Sequence, residues 1–188
     1  MEQQPLSLAD HVCLAIVVEG RTHGWAIVRL LEPTGELGRI WSLTRPLTYR
    51  SLDRIADLGL VKRTQAGRRA DLTVTPRGRR VALDWLEQPV EHVRQVRTEF
   101  LLKLALRSRV GLPIDSLVLA QRAALASALD ALTTVTAGGD DPVAVWRRHS
   151  AGATRDFLNE LARSTSGVAA LRRRRLISRD DDSPEPVA

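Results

Sequence analysis

TRPLTYRSLDRIADLGLVKRTQAGRRADLTVTPRG, residues 44–78, decides how the rest of the chain is read. Thr44 is placed to cap a helix, and Pro46 sits in the first turn, where a missing N–H breaks no hydrogen bond. At about 100° per residue, Leu47, Leu52, Ile55 and Leu58 fall on the inward half of that helix. Arg45, Pro46, Tyr49, Arg50 and Asp53 fall on the outward half. Gly59 stops the helix. Residues 60–64 and 70–75 read as strands, with Leu72 and Val74 alternating with polar neighbours. The turn between them spans 65–69 around Gly67.

Charge gathers on the same stretch. Residues 39–80 hold eleven Lys and Arg against three acids, Asp53, Asp57 and Asp71. The whole chain carries only +6, so the remainder is slightly acidic. Positive charge beside a helix and a hairpin points to a polyanion partner; the plainer alternative is a solvated basic face.

Upstream, residues 8–19 form a helix that is apolar nearly all round and hence buried on both sides. Residues 23–32 form a second, with Ile27, Leu30 and Leu31 inward and Trp25 and Arg29 outward. Helix, helix, capped helix and two-stranded hairpin, in that order, make a winged helix-turn-helix. The third helix has the width to enter a major groove, where base edges carry sequence information, and its first turns do the reading. The basic hairpin tip reaches backbone or minor groove. Downstream, a helix opens at Pro76 and is interrupted at Pro89, and helical pattern runs on to about Arg109. Further helices cover 115–132 and 142–162. The expected fold is mostly α with a small β-hairpin. Residues 1–87 form the winged domain, 88–165 a helical dimerisation region, and 166–188 a disordered tail that carries Arg172, Arg173, Arg174 and Arg175. The run FLLKLAL at 100–106 offers more apolar surface than one partner helix covers, which argues for an oligomer.

Other classes lose support. No apolar run reaches the roughly 18 residues of a membrane span, and the N-terminus lacks the pattern of a secretory signal. Cys13 is the one cysteine, so no disulfide framework is expected. The four histidines lack ligand spacing, and no metal or cofactor is expected. No nucleophile elbow, P-loop or dinucleotide motif is present, so no enzymatic activity is expected. A cytoplasmic location is the default.

TYRSLDRIADLGLVKRT closely resembles the third helix and wing entry of PadR-like transcriptional regulators. EGRTHGWAIVRLLE, residues 19–32, resembles that family's glycine-containing entry to the second helix, and Thr75-Pro76-Arg77-Gly78 its strand-to-helix turn. The resemblance covers roughly residues 6–106. Trp25 and Ala26 stand where Tyr and Glu are common, and Arg50 where Pro is frequent. It implies a homodimer joined by C-terminal helices, repression of transcription from a palindromic operator, and release by a small molecule.

The residues expected to meet double-stranded DNA are His23, Thr44, Arg45, Thr48, Tyr49, Arg50, Lys62, Arg68 and Arg69. Tyr49 could instead pack on the wing. Trp85 and Trp146 read first as core or dimer-interface residues, and they are the candidates for lining a pocket for a small aromatic effector. A winged-helix adaptor that binds an acidic protein partner is the second functional reading; steep salt dependence would mark the DNA binder.

Overall fold

The computed structural model describes residues 5–20, 22–66, 69–134 and 141–180, with 66, 69, 134 and 165–180 as backbone alone. Helix α1 (Leu8–Val18) opens on a reciprocal cap: Asp10 N–H donates to Ser7 Oγ, and Ser7 N–H donates to the Asp10 carboxylate. Its residues from Val12 to Val18 are all buried, as expected of a helix apolar on every side. Strand β1 (Thr22–His23) leads into α2 (Gly24–Leu31), and α3 (Arg45–Asp57) follows a connector. The wing is β2 (Val61–Ala66) and β3 (Arg69–Val74).

Two-residue β1 was not legible in the sequence. It makes the sheet three-stranded and antiparallel, in the order β1-β3-β2. Its register, Thr22 with Leu72 and His23 with Asp71, ties the entry of α2 to the inner strand of the wing. Pairing of β2 with β3 continues to Ala66 opposite Arg69, so Gln65 and Arg69 belong to the ladder and not to the turn.

Helix α4 (Pro76–Glu87) runs back under the core. A short helical turn α5 (Val93–Gln95) passes through a π-helical segment (Val96–Phe100) into α6 (Leu101–Arg109). Leu102 and Leu106 join the core built by α1, α2, α3 and α4. Apolar surface of FLLKLAL that suggested a second copy is therefore covered, at these two residues, within the one chain. Compactness divides the chain into residues 1–113 and 114–188, which places 88–113 with the winged helix.

The second unit holds α7 (Asp115–Thr134) and α8 (Pro142–Asp180), which pack on one another. Leu117, Val118, Leu125 and Leu129 are buried on α7. Arg155 of α8 pairs with Asp130 of α7 at 2.7 Å. Helix α8 extends to Asp180, beyond the end near residue 162 that the composition suggested. Among the described residues no helix is long and apolar enough to cross a membrane.

Candidate nucleic-acid interface

Helix α3 is rolled from the expected orientation. Leu47, assigned inward, is 45% exposed, and Thr48, assigned to a ligand contact, is 0% exposed. Thr48 Oγ1 donates to the Thr44 carbonyl at 3.1 Å, so its hydroxyl serves the helix. The buried stripe is Thr48, Ser51, Leu52 and Ile55. The small polar residues Thr48 and Ser51 lie where α3 meets the rest of the core, which a scan for large apolar residues cannot detect. Outward and exposed stand Thr44, Arg45, Pro46, Leu47, Arg50 and Asp53. Thr44 is the N-cap by backbone, but its side chain makes no capping bond. Tyr49 is half-buried and packs against the core.

The turn from α3 into the wing is held at a close backbone approach. Gly59 takes φ +68° just past the helix. Thr75 Oγ1 donates to the carbonyls of Gly59 and Leu60, at 2.9 and 3.1 Å, and accepts from Gly78 N–H at 3.0 Å. A Cβ at Gly78 would lie 2.0 Å from the Leu60 carbonyl oxygen. The Thr-Pro-Arg-Gly sequence is thus what lets α4 start against Leu60, the residue just before the wing.

The cations on this face are not equivalent. Arg63 pairs with Asp53 at 2.6 Å, and Arg54 lies 3.5 Å from the buried Asp10 carboxylate. Among the described residues no carboxylate pairs with Arg45 or Arg50, both exposed. Lys62 is exposed on β2. Arg68 lies outside the described residues, and Arg69 is placed by its backbone alone. His23 caps α2: its Nδ1 accepts from Ala26 N–H at 3.2 Å. That uses one ring nitrogen for structure.

The two tryptophans proposed for an effector pocket belong to different compact units. Trp85 is buried in the winged-helix core, stacked on His11 with centroids 5.0 Å apart and planes 8° from parallel. Its indole N–H donates to Glu99 at 3.1 Å, and Lys103 Nζ lies 4.9 Å from its ring centroid. Lys103 also pairs with Glu99 at 3.0 Å and donates to the Gln88 carbonyl at 2.8 Å. This packed set joins α1, α4, the π segment and α6. Trp146, on α8, is 71% exposed. A cleft of about 600 Å³ between α1 and α2 and another of about 430 Å³ between α7 and α8 include neither residue. Cys13 is buried, and desolvation pushes its thiol up to about 12, which suits a packing residue.

Residues 5–113 therefore build a winged helix-turn-helix with an outward, basic first turn on α3 and a wing beside it. Among solved structures the chain is similar to Bacillus subtilis PadR in complex with operator DNA. Identity is 18%, the match covers 89% of this chain and 99% of that one, and the TM-score is 0.43. Bacillus subtilis PadR in complex with p-coumaric acid is similar at 19% identity, covering 85% and 99%, with a TM-score of 0.42. No family model and no curated protein matches the chain.

Proposed function

We propose that the chain is a PadR-like transcriptional regulator that binds double-stranded DNA in a sequence-specific manner, acting in the cytoplasm as a homodimeric repressor. The observation that carries this reading is the exposed N-terminal half of α3, where Arg45, Leu47 and Arg50 project from a helix of a width that fits the major groove. Arginine suits a guanine edge, and an exposed leucine suits a thymine methyl. Lys62 and the arginines at 68 and 69 supply phosphate contacts from the wing. Thr48 is no longer among the contact residues.

Support for the dimer comes from the second unit. Leu119 on α7 and Val143 and Trp146 on α8 are exposed there, and large apolar side chains left exposed on a helical pair suit an association surface. Two-fold symmetry would place two reading heads on half-sites about one helical turn apart or a multiple of it. Release by a small aromatic effector remains part of the proposal, but its site is not assigned to Trp85 or Trp146.

Enrichment of duplexes from genomic fragments, beginning with DNA flanking its own gene, tests the reading, followed by titration over a range of salt. Enriched duplexes should share a palindromic motif, and binding should weaken steeply as salt rises. A chain that holds an acidic protein and ignores duplex DNA would instead be an adaptor.

A further inference from the structure

Arg45 is the first residue of α3, exposed and without an acidic partner among the described residues. It is nevertheless not a free side chain. Its guanidinium carbon lies 5.5 Å from the Trp25 ring centroid and 5.8 Å from that of Tyr49, over both rings. Trp25 comes from α2 and is 46% exposed, more than an aromatic held only for core packing would be. Tyr49 comes from the next turn of α3. Its ring reaches this position because residue 24 has no side chain: a Cβ there would lie 2.8 Å from Tyr49 Cε1.

We propose that Trp25 is a specificity-determining positioning residue, which with Tyr49 holds the Arg45 guanidinium for bidentate recognition of one guanine in each half-site. A planar guanidinium that stacks on an aromatic ring does so through its own face. The N–H donors lie in its plane and point from its edges, so a guanidinium held by its faces keeps its hydrogen-bonding fork free. Guanine O6 and N7 are the acceptors that this fork matches in the major groove. An arginine on an exposed helix end otherwise loses rotamer freedom on binding, and two aromatic neighbours remove part of that loss in advance. Arg50, also exposed on α3, has no ring over it among the described residues and lacks this preparation. The inference rests on the duplex-binding reading above and adds which base is read and what prepares the reader.

The test uses the full chain and a duplex selected from a random library by the parent protein. Each guanine of the motif is replaced by 7-deazaguanine, which lacks the N7 acceptor, and affinities are measured for the parent and for Arg45→Ala, Trp25→Ala, Trp25→Phe and Gly24→Ala. The parent should lose on the order of tenfold at one guanine per half-site. Arg45→Ala should abolish that discrimination. Trp25→Ala should remove most of it while its affinity for random duplex stays unchanged, and Trp25→Phe should restore it. Gly24→Ala, which displaces the Tyr49 ring, should act like Trp25→Ala. Adding Trp25→Ala to Arg45→Ala should change nothing further. Losses from Trp25→Ala that are equal on every sequence, or that add to those of Arg45→Ala, would overturn the positioning role and leave the duplex-binding reading intact. A parent that selects no duplex would overturn both.

Discussion

At the scale of single residues, two close contacts set firm expectations. Gly78→Ala puts a methyl group against the Leu60 carbonyl, 2.0 Å away in the native backbone. Neither α4 nor the wing entry can yield without breaking the Thr75 hydrogen bonds. We expect a loss of about 3 kcal/mol or more, at or beyond the upper end of overpacking costs, read as a shift in the urea midpoint. His11 sets the second. Burial lowers its pKa, Lys103 lowers it further, and Glu99 and Asp10 oppose the shift. Among the described residues its Nδ1 is the buried side-chain polar atom left without a hydrogen-bond partner. The unfolded imidazole takes up a proton below about pH 6.5, while the native one resists. Stability from this residue is thus present above that pH and falls as pH drops towards the native pKa, by up to about 1.4 kcal/mol per pH unit. His11→Gln should flatten the stability profile between about pH 7 and pH 5; an unchanged slope would assign the acid sensitivity to other groups.

At the scale of elements, α3 and the wing carry different work. On the proposed reading, the wing arginines meet a polyanion without choosing among bases. Arg68→Ala combined with Arg69→Ala should weaken binding to cognate and random duplex alike, and flatten the salt slope by about one to two units. Leu47→Ala, on the exposed side of α3, should cost affinity mainly at the cognate site, on the order of 1 kcal/mol. Equal losses from the two changes on random DNA would deny α3 a reading role. The start and the stop of α3 are legible in the sequence, from Thr44 and Pro46 and from Gly59. Its roll is not. Leu47 and Thr48 exchange roles because apolar periodicity assigns the larger residue inward. Helix packing here instead admits the small Thr48 and Ser51, and the Thr48 hydroxyl is accommodated by the Thr44 carbonyl.

At the scale of the whole molecule, the chain holds two compact units, residues 1–113 and 114–188. If α7 and α8 carry the association surface, changes on their exposed residues should act on assembly and leave the winged helix folded. Leu119→Asp with Trp146→Glu should shift the full chain from dimer to monomer in sedimentation. Its helical signal should stay close to the parent's, while affinity for a palindrome falls towards that for a single half-site. A double variant that stays dimeric would move the interface elsewhere.

Local signals in the chain were enough for the order of the main helices and the wing strands and for the basic character of the wing. Caps, prolines, glycine stops and a helix apolar on all sides act within a few residues, so they can be read along a line. Tertiary structure alone decided what depends on distant neighbours. Strand β1 exists because Thr22 and His23 meet Leu72 and Asp71. The partners of Trp85 are known because His11, Glu99 and Lys103 converge on it from three elements. Arg45 was distinguished from the other arginines by Trp25, twenty residues earlier in the chain. Those are contacts between segments, and the free energy that selects them arises only when the segments pack.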